Sequence, residues 1–264
     1  MFLSKKRQLK LKKSDANGMR AVGSLVGETL QFISQYVTPG ISTNELDQLV
    51  HDFTLKRKAK PAPLGYKGFP KSICTSLNDC LCHGVPDDTV LKSGDIINID
   101  ITTILDGYHG DASFTFPVGR VSSEHLELCK AAKKARDEGI KAITPGVRTG
   151  TIGAATEAFV STTPFHLCKE IGGHGIGKVF HTDPFIPAFG TIGEGDKVKP
   201  WTCITVEPII NLSSAPMKEF HIPNSSIRYY HTRDRSFSAQ YEHTILVTDS
   251  GYEILTDWQA PVLE

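Results

Sequence analysis

Two aspartates lie on a segment whose pattern predicts a β-hairpin. Residues 95–104 alternate apolar and polar side chains, and Asp106-Gly107 is a strong signal for a two-residue turn into a returning strand. Counting from that turn places Asp100 and Asp111 diagonally on one face, about 7–8 Å apart at the backbone, so both carboxylates can reach a common cation. The alternative is a solvated face, but a carboxylate within an isoleucine-rich strand needs a partner.

Three further residues carry metal-ligating atoms in similar settings. His174 stands among glycines in GGHGIG, Glu207 ends an apolar segment just before Pro208, and Glu242 falls in a predicted strand over residues 240–247. Taken singly, each has an ordinary alternative as a loop histidine or a solvated edge carboxylate. Together with the hairpin aspartates they supply four negative charges, which two divalent cations balance. An oxygen-rich set with one imidazole suits Mn, Fe(II) or Co and offers no thiolate zinc site.

The elements that would position these side chains form a repeated pattern. Helical periodicity starts near residue 15, resumes after a Ser42–Glu45 capping box, and returns over about residues 124–143 and on to about 160. Residues 37–53 (VTPGISTNELDQLVHDF) match residues 143–159 (ITPGVRTGTIGAATEAF), and residues 91–100 align with residues 198–207. Helices outside and antiparallel strands inside predict an α+β fold, and the matched segments predict a duplicated helix–helix–strand unit.

Composition excludes several classes of protein. Of 264 residues, 39% are apolar and 22% charged, and 29 basic residues balance 29 acidic ones, which argues against a polyanion as the main partner. No apolar run approaches the length that spans a bilayer, and the N-terminus does not have the pattern of a secretory signal. The six cysteines include no Cys-x-x-Cys pair, so we expect reduced thiols and a cytoplasmic protein without a membrane contact.

The motifs, taken in order, resemble those of a known family. INID…DGYHGDAS, GGHGIG…FHTDP, TVEP and SAQYEHT resemble a type I methionine aminopeptidase of bacterial form, and the resemblance runs from about residue 13 to residue 257. It implies the duplicated pita-bread fold of the creatinase and aminopeptidase enzymes. We therefore expect a basic N-terminal arm over residues 1–14 and one catalytic domain over residues 15–264, built from two related halves.

The resemblance also assigns residues to roles. The metal-ligand positions fall on Asp100, Asp111, His174, Glu207 and Glu242. His83 and His181 match histidines that contact the substrate near the scissile bond, and with Glu207 they form the expected catalytic set. The positions that line the methionine pocket fall on Tyr66, Phe69, Cys74 and Phe180. Departures from the family pattern lie at Pro63, at Phe69 and in the segment around Arg228, which places the altered residues at the pocket rim.

The implied activity is removal of the N-terminal methionine from nascent proteins and peptides with a small second residue. A water or hydroxide bridging two divalent ions, Co, Mn or Fe(II), would be the nucleophile. One alternative is another enzyme of the same fold that is directed at proline. Such enzymes carry a large additional N-terminal domain, whereas only about 14 residues precede the first predicted helix here. A non-catalytic binding protein is a second alternative, against which the complete ligand set argues. We also expect a monomer whose basic arm contacts the ribosome surface.

Overall fold

The computed structural model describes residues 11–263, which form four helices, fifteen strands and one 3-10 turn at Tyr66–Gly68. The helices are α1 (Asp15–Ile33), α2 (Thr43–Lys56), α3 (Ser123–Lys141) and α4 (Thr149–Val160). The strands are β1 (Lys60–Pro61), β2 (Cys74–Leu77), β3 (Cys80–Cys82), β4 (Ile96–Leu105), β5 (Tyr108–Pro117), β6 (His166–Leu167), β7 (Gly173–Ile176), β8 (Thr182–Ile186), β9 (Thr202–Val206), β10 (Ile209–Asn211), β11 (Met217–His221), β12 (Arg228–Thr232), β13 (Ser238–Gln240), β14 (His243–Val247) and β15 (Tyr252–Ile254).

The predicted hairpin is confirmed in its turn and its register. Asp106 and Gly107 both have positive φ, 50° and 83°, as a turn that follows the right-handed twist of the strands requires. Asp111 of β5 pairs with Thr102 of β4, so Asp100 and Asp111 lie diagonally on one face. The opposite, isoleucine face of β4 packs against α1, α2 and α3 in the largest core cluster. Both faces of the strand are therefore buried.

Equivalent hydrogen bonds identify the two halves of the duplicated fold. An isolated bridge joins Ser42 to Val90 before α2, and the corresponding bridge joins Arg148 to Lys197 before α4. In the first half Leu91 donates to the Ile41 carbonyl at 2.8 Å, and in the second half Val198 donates to the Val147 carbonyl at 2.7 Å. These positions correspond under the sequence repeat, so helices α1 and α2 with β4 match α3 and α4 with β9.

The prediction of one strand over residues 240–247 is wrong. The chain leaves a sheet containing β6, β10 and β13 at Gln240 and enters a sheet of β7, β8, β9, β14 and β15 at His243. Between them the Glu242 N–H donates to the Ser113 carbonyl of β5 at 3.0 Å. The segment thus crosses from sheet to sheet beside the hairpin, and Glu242 is buried instead of lying on an edge.

Most of the predicted N-terminal arm falls on residues 1–10, outside the described residues. Leu11, in the remaining part, is buried and donates its N–H to the Trp201 carbonyl at 2.9 Å. No helix within residues 11–263 is long and apolar enough to cross a membrane.

Candidate metal centre and substrate cavity

The five predicted ligands line one cavity between the two halves of the fold. Asp100 and Asp111 come from the β4–β5 hairpin, His174 from β7, and Glu207 from the end of β9; Glu242 lies at the crossing before β14. The His174 Nε2 atom lies 3.7 Å from an oxygen of Asp111 and 3.7 Å from an oxygen of Glu207. One ligand atom from each of Asp111, His174 and Glu242 lies within 4.8 Å of the other two. The sequence-predicted cluster therefore exists as a spatial cluster.

Neighbouring polar groups orient the ligands. The Thr102 hydroxyl donates to Asp111 at 2.8 Å, the Thr205 hydroxyl donates to Glu207 at 2.7 Å, and the Gln240 amide donates to the other Glu207 oxygen at 3.1 Å. The Nδ1 atom of His174 lies 3.1 Å from the Gly175 carbonyl, which can only accept, so Nδ1 carries the proton. The lone pair of Nε2 then faces the carboxylates, which is the tautomer that a metal ligand needs.

Some oxygens of the buried ligand carboxylates lack a hydrogen-bond donor among the described residues. One oxygen of Asp100 and one of Glu242 are buried without a hydrogen-bond partner among residues 11–263. Burial raises the pKa of Asp100 to about 6 and that of Glu207 to about 8. Burial is the main cause that raises the pKa of Asp111 well above its usual range, and the charge of Asp100 adds to it. The pKa of Glu242 is also raised well above its usual range, mainly by burial and in addition by the charge of Asp111. Buried carboxylate oxygens without a hydrogen-bond partner lie here beside an imidazole whose Nε2 lone pair is free to bind a metal. This donor set fits divalent cations.

Two more histidines approach the same cavity. The Nδ1 atom of His83 lies 2.8 Å from the Arg228 carbonyl, so it carries the proton and leaves Nε2 as an acceptor. The Nδ1 atom of His181 lies 3.1 Å from the Tyr66 hydroxyl. Burial lowers the pKa of both imidazoles, that of His181 to about 2, so both are neutral near pH 7.

The cavity beside the ligands measures about 190 Å³ and is walled mainly by apolar groups. All four predicted pocket residues line it: Tyr66, Phe69, Cys74 and Phe180. Burial raises the pKa of the Cys74 thiol well above its usual range, so it contributes a neutral sulfur to the wall. The wall also includes Pro63, Ile171 and Ile227. Pro63, and Ile227 in the segment around Arg228, belong to the pocket rim predicted from the sequence, whereas Ile171 was not predicted.

Sequence reasoning also missed the residues that orient the ligands. Thr102 and Thr205 each stand two residues from a ligand, and side chains two apart along a strand share a face. That spacing is a signal that could have found them. The contact between His83 and the Arg228 carbonyl could not be predicted from the sequence, because every residue type has a backbone carbonyl.

Comparison with known proteins identifies the family of the chain. Residues 17–249 match the sequence profile of Metallopeptidase family M24. The methionine aminopeptidase of Rickettsia prowazekii is 44% identical over 90% of this chain and 91% of its own. The chain belongs to the methionine aminopeptidases of metallopeptidase family M24. The family is one of metal-dependent hydrolases of polypeptide substrates, so a divalent metal is required for hydrolysis.

Solved structures agree with the fold class. The crystal structure of the Rickettsia prowazekii methionine aminopeptidase superposes with a TM-score of 0.91 at 43% identity, covering 95% of this chain and all of that one. Prolidase from Pyrococcus furiosus superposes with a TM-score of 0.72 at 19% identity, covering 96% of this chain but 66% of the prolidase. The prolidase therefore shares the pita-bread fold, and the similarity to it extends no further than the fold.

Proposed function

We propose that this chain hydrolyses the first peptide bond of polypeptides that begin with methionine and releases the methionine. The observation that carries the proposal is the convergence of five ligand side chains and two neutral histidines in the lining of one cavity whose wall is mainly apolar. The methionine aminopeptidase relatives supply the reaction, and this geometry supplies residues suited to it. The second substrate residue is expected to be small, since His83 and His181 crowd the position beyond the scissile bond.

Two divalent ions, Co, Mn or Fe(II), are proposed to be held by the five clustered residues. Their four carboxylates balance two dications, and His174 adds the single imidazole. When bound, such ions lower the pKa of water from about 15.7 toward ~7 and so supply a nucleophile at neutral pH. The Thr102, Thr205 and Gln240 hydrogen bonds hold the carboxylates in place for this purpose.

Glu207 and the histidines would handle the protons and the developing charge. Glu207 would take a proton from the attacking water and carry it to the leaving amine. His181 would donate from Nε2 to the oxygen that becomes negative. That role requires an Nε2 proton, which is present when the Tyr66 hydroxyl donates to Nδ1. The acceptor Nε2 of His83 would hold the substrate near the scissile bond.

The methionine side chain would enter the apolar part of the cavity. Tyr66 and Phe180 contact each other with ring centroids 4.8 Å apart, and the buried residues Phe69 and Cys74 line the same cavity. A thioether makes favourable contacts with aromatic rings and with soft sulfur, worth about 0.3–1.5 kcal/mol each. These contacts support a preference for methionine over a polar first residue.

The remaining proposals concern the setting of the enzyme. We propose that residues 15–264 act as one catalytic domain of two related halves, as a monomer, on nascent polypeptides in the cytoplasm. The six cysteines are all unpaired thiols, as expected in a reducing compartment. The basic segment of residues 1–14 is proposed to contact the ribosome surface through its lysines and arginines.

The test uses protein stripped of metal and the peptide Met-Ala-Ser. Hydrolysis should be absent without metal and restored when Co, Mn or Fe(II) is added, with release of free methionine. Glu207→Gln should remain inactive with added metal because it loses a ligand charge and the proton carrier. Glu124→Gln, at an exposed helix position, is the matched control and should behave as the parent. Parental turnover by Glu207→Gln would overturn the assignment.

A further inference from the structure

Large apolar side chains are exposed beside the mouth of the substrate cavity. Leu64, Val179 and Phe185 are 47%, 47% and 50% exposed, although most large apolar residues of the chain are buried. Each lies next to cavity-lining residues. Leu64 follows Pro63 and comes two residues before Tyr66, and Val179 directly precedes Phe180.

Phe185 can be placed on the metal-binding side of its sheet. A Cβ added to Gly172 would lie 2.9 Å from the tip of the Phe185 ring, so this ring covers Gly172. Gly172 itself lines the cavity. Gly173 of β7 pairs with Ile186 of β8, and paired residues share a face of the sheet, so their neighbours His174 and Phe185 both lie on the opposite face.

Leu64 and Val179 are brought near each other by their neighbours. The rings of Tyr66 and Phe180 are in contact, and Tyr66 also stacks on His181 with centroids 5.3 Å apart. The segments that carry the two exposed residues therefore meet over the cavity. We refer to Leu64, Val179 and Phe185 as the apolar rim.

The cavity, with a volume of about 190 Å³, is too small to hold a whole polypeptide. A substrate whose first residue enters it must leave through the mouth, so the following residues pass the apolar rim. The occupant of the rim is then the substrate chain itself, because its path is continuous with the catalytic cavity.

We propose that the apolar rim binds the third residue of the polypeptide substrate and favours an apolar side chain there. The inference rests on the proposed aminopeptidase function and extends it to a substrate position beyond the scissile bond. A charged third residue gains nothing from the rim, whereas an aromatic or aliphatic one buries area against Phe185 and its neighbours.

The test compares kcat/KM for Met-Ala-Phe-Gly with kcat/KM for Met-Ala-Gly-Gly. We expect the parent enzyme to prefer the phenylalanine peptide by about fivefold, since partial burial of one aromatic ring is worth about a factor of this order. Phe185→Ser should bring the ratio close to one, and Val179→Ser should lower it in the same direction. Ile192→Ser is the matched control, because Ile192 is 77% exposed but does not line the cavity, and it should keep the parental ratio.

Each outcome is decisive for the rim. A parental ratio near one, or a ratio unchanged in both rim variants, overturns the inference even if both peptides are cleaved. A parental preference for Met-Ala-Glu-Gly also overturns it and points instead to Lys67, whose Nζ atom lies 5.2 Å from the Tyr66 ring centroid. If the metal-loaded parent cleaves none of the peptides, the proposed function fails, and that result is distinct from loss of the rim preference.

Discussion

Loading the metal-free site with divalent metal should release protons. In that site burial holds the pKa of Glu207 at about 8 and that of Asp100 at about 6, and the pKa values of Asp111 and Glu242 are raised further. A ligand carboxyl group must be ionised to coordinate a metal, so each proton that the site still holds has to leave. His174, with a pKa of about 4, is already neutral and contributes none.

The count at pH 7 follows from these values. A group with a pKa of about 8 is roughly 90% protonated at that pH, and one with a pKa of about 6 is roughly 10% protonated. Glu207 and Asp100 together therefore release about one proton. The raised pKa values of Asp111 and Glu242 add to this number, so the site should release at least about one proton. Each released proton makes the apparent metal affinity rise about tenfold per pH unit, so lowering the pH weakens binding and raising it strengthens binding.

Titration calorimetry in buffers of different ionisation enthalpy measures the released protons directly. Glu242→Gln should release fewer protons than the parent, and His174→Ala should release the same number while binding metal more weakly. Release of less than about half a proton by the parent at pH 7 would mean that the carboxylates are ionised without metal. The reasoning from their burial would then be refuted.

Three further predictions follow from named contacts. His174→Ala should lose activity that excess metal partly restores, whereas His83→Ala should bind metal normally and show a kcat lower by a factor of about 10²–10⁴. Measuring bound metal and kcat for each variant separates the two roles. A metal-depleted His83→Ala contradicts the assignment. Met-Ala and Met-Gly peptides should be cleaved and Met-Lys peptides poorly, because two histidines crowd the second position; equal kcat/KM values across the series would contradict this. Asp47→Ala should lower the free energy of unfolding by about 2–4 kcal/mol. The Asp47 carboxylate accepts hydrogen bonds from two backbone N–H groups just before β2, at 2.8 and 3.1 Å, and the substitution would leave both unpaired. Urea denaturation measures the change, and a value below about 0.5 kcal/mol counts against the prediction.

The hairpin was predictable because its signals are local and agree with one another. Alternation along β4 fixes the face of each side chain, and Asp106-Gly107 supplies the positive φ values that a two-residue turn requires. Register follows from those two facts, so the relative placement of Asp100 and Asp111 can be worked out from the sequence alone. The duplicated unit is visible for a related reason, because both matched segments keep a Thr-Pro-Gly turn, in which Gly40 and Gly146 have positive φ.

The features that could not be predicted depend on contacts between distant segments. The strand around Glu242 is interrupted because a hydrogen bond to Ser113 draws the chain from one sheet to another, and the local sequence reads as continuous strand. The orientation of His83 depends on the Arg228 carbonyl of the β11–β12 hairpin, 145 residues away. The positive φ of His83, 58°, likewise reflects this tertiary arrangement, because nothing in its residue type requires it.

The duplication explains the carboxylates but not the histidines. Asp100 and Glu207 occupy equivalent positions in the two halves, and Asp111 on β5 has a counterpart in Glu242 beside β14, which pairs with β9 as β5 pairs with β4. Packing the halves face to face therefore brings four carboxylates together, and their burial, with the charges of their neighbours adding to it, raises their pKa values in the metal-free protein. The histidines have no such counterparts in the repeat, so His83, His174 and His181 break the symmetry that the four carboxylates share.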